Sequence, residues 1–340
     1  MKVIRGGFGS RKTPSIGLVL GAGGVVGQAY QAGVLSALER EVGWDPREAA
    51  AVVGTSAGSV TAAALRVGVP ATDLAASLYG VPPSRRGGAI LRRILPADVE
   101  PLPTPSVGSL LRPWNLPSAA LITRTIRRPL AFRPDVAAMT MLPAGMVDLT
   151  ARAAPLHELV GERWPADLWI CAVRRDDGGR VVFGREGSPP ATLAAAVLAS
   201  CAIPAYFAPV DIGGVQYFDG GVHSSTNADV LRRRPPDVVV VVSPMSARRF
   251  PMGPADGLIR WSTHRRLERE ARRLERAGSV VVRIEPDAAT IDAMGLRPMG
   301  SDRSDRVAVA AHEETVRLVA EGAIPRQLFG GSVRDGLALA

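Results

Sequence analysis

An α/β fold built on a mostly parallel central sheet is predicted by three features of this 340-residue chain. Short, uninterrupted apolar runs recur at Ile16 to Leu20, Ala49 to Val53, Leu168 to Val173, Val238 to Val242 and Val280 to Ile284. Such runs mark strands buried on both faces. Segments of helical character alternate with them, at Gln28 to Glu39, Val60 to Leu65, Gly257 to Ala277 and Arg306 to Glu321. Glycines cluster at the first strand-to-helix junctions, where they leave backbone N–H groups exposed. With 46% hydrophobic residues, the chain can bury one large α/β core with excursions, or two modest domains.

The first strand–helix–strand unit, Ile16 to Leu65, is expected to be parallel with a right-handed crossover. Its first strand runs into Gly21-Ala22-Gly23-Gly24-Val25-Val26-Gly27. Amides in such a loop bind a phosphate or a developing oxyanion equally well. A dinucleotide site also needs a second strand ending in Asp or Glu, about 20 residues past the glycines. Here the second strand ends in Gly54-Thr55-Ser56-Ala57-Gly58, and Glu39, Glu41 and Asp45 fall in the helix end and the loop before it. The dinucleotide-binding oxidoreductase is therefore the weakest of the enzymatic readings.

Strand, Gly-flanked turn and helix form the context in which G-x-S-x-G makes a nucleophile elbow. The turn strains the Ser56 backbone and pushes its hydroxyl out of the strand end. A Cβ at Gly54 or Gly58 would collide with the neighbouring strand or helix. The following helix directs its first N–H groups and positive end at an anion forming beside the serine. A further element is Tyr217-Phe218-Asp219-Gly220-Gly221, preceded by Ala199-Ser200-Cys201-Ala202-Ile203-Pro204. A strand ending in Asp with two glycines behind it can present a carboxylate against a neighbouring backbone. By itself Asp-Gly-Gly reads equally well as a hairpin turn.

Taken together and in this order, these elements resemble the patatin-like phospholipases, from about Ile16 to Asp229. The resemblance includes Gln31-Ala32-Gly33-Val34-Leu35 after the glycine loop, the elbow, the Ala-Ser-x-Ala-Ile-Pro segment and Asp219-Gly220-Gly221. It implies a three-layer α/β/α fold and a Ser–Asp dyad with no histidine. Ser56 would be the nucleophile, Asp219 its base, and amides around Gly23 and Gly24 the oxyanion donors, with Gly21 as the alternative. Phospholipid or another fatty acyl ester is the implied substrate, and no metal or organic cofactor is implied. One departure stands out. The family loop reads Gly-Gly-Gly-x-Arg/Lys-Gly, whereas Val25-Val26 here replaces the basic residue and adds one position. That departure keeps open a catalytically degenerate lipid-binding module.

The dyad is chemically reasonable. A serine hydroxyl needs an adjacent base, and desolvation makes a carboxylate a better one. An alkoxide also leaves more readily than an amine, which suits a weak base to esters. A Ser–His–Asp esterase with the order Ser, Asp, His remains the rival. Of the histidines, His157, His264 and His312 read as solvated surface residues, and His223 lies too near Asp219 to be an obvious triad partner.

Cys171 and Cys201 make no disulfide framework and read as buried small hydrophobes, which fits a reducing, cytoplasmic setting. The uncharged runs Thr13 to Leu38 and Ser188 to Val210 are broken by glycines and prolines, so neither a signal peptide nor a membrane helix is expected. The net charge of +9 does not point to nucleic acid: 39 of the 41 basic residues are arginine, and no basic stretch is interleaved with aromatics.

The expected organisation is a basic arm over 1–14, a catalytic domain over 15–232, and strands and helices over 233–340 that complete the same domain. Within it, 81–135 is an Arg/Pro-rich cap; Ser84 to Arg133 holds nine arginines against Asp98 and Glu100. Apolar residues alternate with those arginines, as in a lid that touches anionic membrane peripherally.

Overall fold

The computed structural model describes residues 13–94, 112–247 and 254–330. The basic arm lies almost wholly outside the described residues, as does the proline-rich middle of the cap.

Eight strands make one sheet: β1 (Ile16–Leu20), β2 (Ala51–Thr55), β3 (Leu168–Arg174), β4 (Arg180–Phe183), β5 (Val210–Ile212), β6 (Val215–Asp219), β7 (Val238–Val242) and β8 (Val280–Ile284). Its order is β5-β6-β3-β2-β1-β7-β8, with β4 paired to β3. The run β3-β2-β1-β7-β8 is parallel, and β4, β5 and β6 pair antiparallel.

The helices are α1 (Gly24–Val42), α2 (Ala57–Arg66), α3 (Ala71–Ala76), α4 (Arg85–Ile94), α5 (Ala119–Arg127), α6 (Pro134–Thr140), α7 (Ala154–Val160), α8 (Leu193–Cys201), α9 (Pro254–Glu275), α10 (Ala288–Met294) and α11 (Ser304–Ala320). Successive strand residues point to opposite faces, and both faces are covered. Leu18, Leu20, Val52, Val240 and Val242 pack with α1, α2, α8 and α11. Val19, Val53, Val239 and Val241 pack with Leu267 and Leu274 of α9 and with Leu231. This two-sided burial is why the strands are continuous apolar runs with no polar alternation. No helix among the described residues is long and apolar enough to cross a membrane.

Two boundaries and two histidines differ from the sequence expectation. The second strand is β2, two residues later than expected, because Asp45 accepts from the Arg47 N–H and Pro46 opens a 3₁₀ turn over Pro46–Glu48. The first helix begins at Gly24, so Gly24 to Gly27 form its opening turn and the glycine loop is shorter than its composition suggests. His264 and His312 are not solvated. His264 Nδ1 lies 2.7 Å from Glu285 Oε2, and His312 packs edge-on to Tyr79.

Candidate active site

The parallel register pairs Leu20 with Gly54, so the loops after β1 and β2 leave the sheet side by side. In a parallel sheet this carboxyl end is where ligands bind. Gly58, in the first turn of α2, packs directly onto β1: a Cβ there would lie 2.1 Å from the Leu20 carbonyl oxygen. At Gly54 a Cβ would lie 2.6 Å from Ser59 Cα. Only glycine permits so sharp a strand-to-helix turn at both positions.

Ser56 itself has φ 54° and ψ −125°. A non-glycine residue in such a region persists only where its surroundings hold it, at a cost of about 1–3 kcal/mol. The Ser56 carbonyl accepts from the Ser59 N–H at 2.7 Å and from Ser59 Oγ at 2.6 Å. Its N–H donates to Ser200 Oγ at 2.8 Å.

Strand β3 brings in the carboxylate. Its Cys171 pairs with Thr55 of β2 on one side and with Val182 of β4 on the other. The next residue, Ala172, pairs with Asp219 of β6 and again with β4, at Val181. β2 and β6 therefore occupy the same edge of β3, tip to tip, and Ser56 meets Asp219 where they abut. The Ser56 hydroxyl faces the Asp219 carboxylate closely enough to favour its charged form, and Gly221 N–H donates to Asp219 Oδ1 at 2.6 Å. Burial pushes the Asp219 pKa up to about 7, against the opposing pull of these two groups. Ser56 is 6% exposed and Asp219 4%.

Residues to which the sequence assigned no role in the site support this frame. Gln31 Nε2 donates to the Gly21 carbonyl at 2.6 Å while its Oε1 accepts from Thr61 Oγ1 at 2.7 Å, tying the glycine loop to α2. Asn227 Nδ2 donates to the Ser224 carbonyl at 2.7 Å, and to Thr55 Oγ1 and the Gly220 carbonyl at 3.2 Å each. It thereby joins the elbow to the Asp-Gly-Gly turn. All the groups involved are polar and buried, and such groups seldom stay unpaired.

The glycine loop separates into used and open donors. The Gly21 N–H is bound to the Val242 carbonyl at 3.0 Å and the Ala22 N–H to Ser225 at 2.7 Å, which removes Gly21 from the candidate oxyanion donors. Among the described residues, no acceptor meets the amides of Gly23 or Gly24. Gly24 has φ +62°, and a Cβ there would lie 2.4 Å from the Pro298 oxygen.

No histidine supplies a third member. Asp219 Oδ1 accepts from the Gly221 N–H, and no histidine among the described residues donates to its carboxylate. His223 is held neutral, its pKa pushed down to about 3 by burial first and by Arg180 and Arg133 next. The His223 carbonyl accepts from Arg133 Nη1 at 2.7 Å and from Arg266, and both arginines also bond to Asp135. The cap and α9 are thus pinned together four residues beyond Asp219. Among the described residues, no group of His, Cys, Asp and Glu side chains is arranged to hold a metal ion.

No curated protein sequence matches the chain significantly. Among solved structures it is similar to VipD from Legionella pneumophila, at 16% identity and TM-score 0.40, covering 92% of this chain and 68% of that one. It is similar also to the type III effector protein ExoU, at 15% identity and TM-score 0.38, covering 93% and 54%. Human GIVD cytosolic phospholipase A2 follows at 10% identity and TM-score 0.40, covering 94% and 62%. The chain thus spans little more than half the length of the last two. The patatin-like phospholipase description matches residues 18–232, well over half of the sequence, and the chain belongs to that family of lipid ester hydrolases.

Proposed function

We propose that the protein cleaves carboxylic esters of lipids, phospholipids foremost, with Ser56 as nucleophile and Asp219 as general base. The observation that carries this reading is the burial of Ser56 beside Asp219 at the abutting ends of β2 and β6. Asp219 takes the hydroxyl proton as Ser56 Oγ attacks the ester carbonyl. The tetrahedral oxyanion is stabilised by the open amides of Gly23 and Gly24, aided by the positive end of α2. Asp219 then protonates the leaving alkoxide, an acyl-enzyme remains, and water attacks it with Asp219 again as base. The proton returns to Ser56 as the acid departs. A pKa near 7 suits both halves, since the same group must accept and donate.

The active protein works at a lipid surface in this reading. Among the described residues, eight of the fifteen large exposed hydrophobics lie between Trp114 and Met146, among them Leu116, Ile122, Ile126 and Leu130. Arg127 and Arg128, at the end of α5, are exposed beside them, as are Arg85, Arg86, Arg92 and Arg93 on α4. Apolar residues interleaved with arginines suit contact with an anionic leaflet.

The assignment is tested with a fluorophosphonate probe and a short-chain chromogenic ester. Wild type should label and turn over, while Ser56→Ala should do neither and still unfold cooperatively. Turnover by folded Ser56→Ala at the wild-type rate would remove the assignment.

A further inference from the structure

Ser200, in the last turn of α8, takes no part in bond making in this scheme, yet it touches the backbone around both reacting residues. Its side chain is fully buried. The Ser56 N–H donates to Ser200 Oγ at 2.8 Å, and Ser200 Oγ donates to the Cys171 carbonyl at 2.7 Å. A hydroxyl has a single hydrogen. Because Cys171 receives it, a lone pair of Ser200 Oγ is left directed at Ser56. The same Cys171 carbonyl packs against Gly220, where a Cβ would lie 2.2 Å from the oxygen. Two residues past Ser200, the Ala202 carbonyl accepts from the Asp219 N–H at 2.9 Å. One short stretch of chain, 200–202, therefore holds the amide of the serine and the amide of the aspartate.

The strained Ser56 backbone explains why this matters. Its carbonyl is held by Ser59, and among the described residues its N–H has Ser200 alone as acceptor. Without the Ser200 hydroxyl, a buried donor is orphaned at the residue with the least favourable dihedrals. Relaxation then turns the peptide toward another acceptor, and the Ser56 side chain swings with it. We propose that Ser200 is a positioning residue for acyl transfer, holding the elbow in the conformation that aims the Ser56 hydroxyl at Asp219. The proposal rests on the reading of Ser56 and Asp219 as nucleophile and base.

The test measures kcat and KM on a soluble chromogenic ester across pH for wild type, Ser200→Ala, Ser200→Cys and Ser56→Ala, with thermal unfolding of each. Ser200→Ala should lose about 10²-fold in kcat, the loss expected from a misplacement of about 1 Å, with KM little changed. Ser200→Cys, whose sulfur accepts weakly, should retain more than the alanine variant. The acid limb of kcat/KM should also move to higher pH in Ser200→Ala. Burial raises the Asp219 pKa and the Ser56 hydroxyl opposes it, so moving that hydroxyl away lets the pKa climb further. A loss of fold alone would lower activity equally at every pH and leave the limb in place. Wild-type kcat and an unmoved limb in folded Ser200→Ala would overturn the proposal. Should that variant not fold, the same two results in Ser200→Cys would overturn it. Activity in folded Ser56→Ala would instead overturn the assignment beneath it.

Discussion

Asp219 shows how one residue trades stability for reactivity. A free aspartate has a pKa of about 3.9, and burial lifts this one to about 7. Between those values the folded protein holds a proton that the unfolded chain has released. Stability therefore falls as pH rises through this window and stays low above it. In the proposed mechanism activity runs the other way, since only the ionised carboxylate can take the Ser56 proton. Asp219→Asn should lose several orders of magnitude in turnover yet unfold at a higher temperature than wild type at pH 8. That gain should shrink as pH is lowered through this window and vanish below about 3, where the wild-type residue is neutral folded and unfolded alike. Equal unfolding temperatures at pH 8 would mean that the carboxylate is better solvated than its 4% exposure implies. By contrast His157→Ala should leave turnover within a few-fold of wild type, because that ring is exposed. His264→Ala and His312→Ala test the histidine rival more sharply. Both rings are partly buried, so any loss of turnover must be judged against the loss of fold.

At the scale of elements, the glycine loop is the part where composition misleads. Gly-Gly-Val-Val-Gly reads as loop, yet the chain turns helical at Gly24 because the helix N-terminus tolerates glycine and Pro298 accepts from the Val26 N–H at 3.2 Å. The strands were legible because burial on both faces leaves only apolar residues, and the elbow because its glycines answer to close contacts. The clamps at Gln31, Ser200 and Asn227 were not legible as such. Each bonds to backbone far away in sequence, and a lone polar residue carries no periodic signal. His264 and His312 were misread for a related reason: the groups that pack on them, Glu285 and Tyr79, come from other elements of the fold. Gly24→Ala tests the loop directly. An alanine there combines an unfavourable φ with a collision against Pro298, so the Gly23 and Gly24 amides should shift. Turnover should fall by roughly 10²–10³, the usual effect of losing an oxyanion donor. Unchanged kinetics would assign the donors elsewhere.

The whole molecule carries a formal charge of +9, and its distribution decides what that charge does. Many arginines are spent internally: Arg180 pairs with Asp229 at 2.5 Å, Arg174 with Asp177 at 2.5 Å, and Arg133 and Arg266 share Asp135. Among the described residues, no carboxylate pairs with Arg127, Arg128, Arg85 or Arg86. Near an anionic leaflet each basic residue contributes about 1 kcal/mol, so four would give about 4 kcal/mol, enough for reversible association. Vesicles containing anionic lipid should co-sediment the protein, less so as salt rises. Replacing Ile126 and Leu130 by Glu, or Arg127 and Arg128 by Gln, should weaken that association and spare hydrolysis of a soluble ester. Variants that sediment like wild type at every salt concentration would leave the cap as a plain cover over the core.

The abutment of β2 and β6 on a single edge of β3 has a mechanical meaning as well. Sheets twist and breathe, and a pair of groups carried on separate strands would ordinarily drift relative to each other. Here Thr55, the residue before Ser56, and Asp219 pair with consecutive residues of one strand, Cys171 and Ala172. A displacement of β3 shifts the ends of both partner strands in the same direction, which should hold the spacing of Ser56 and Asp219 steadier than if they sat on unrelated elements.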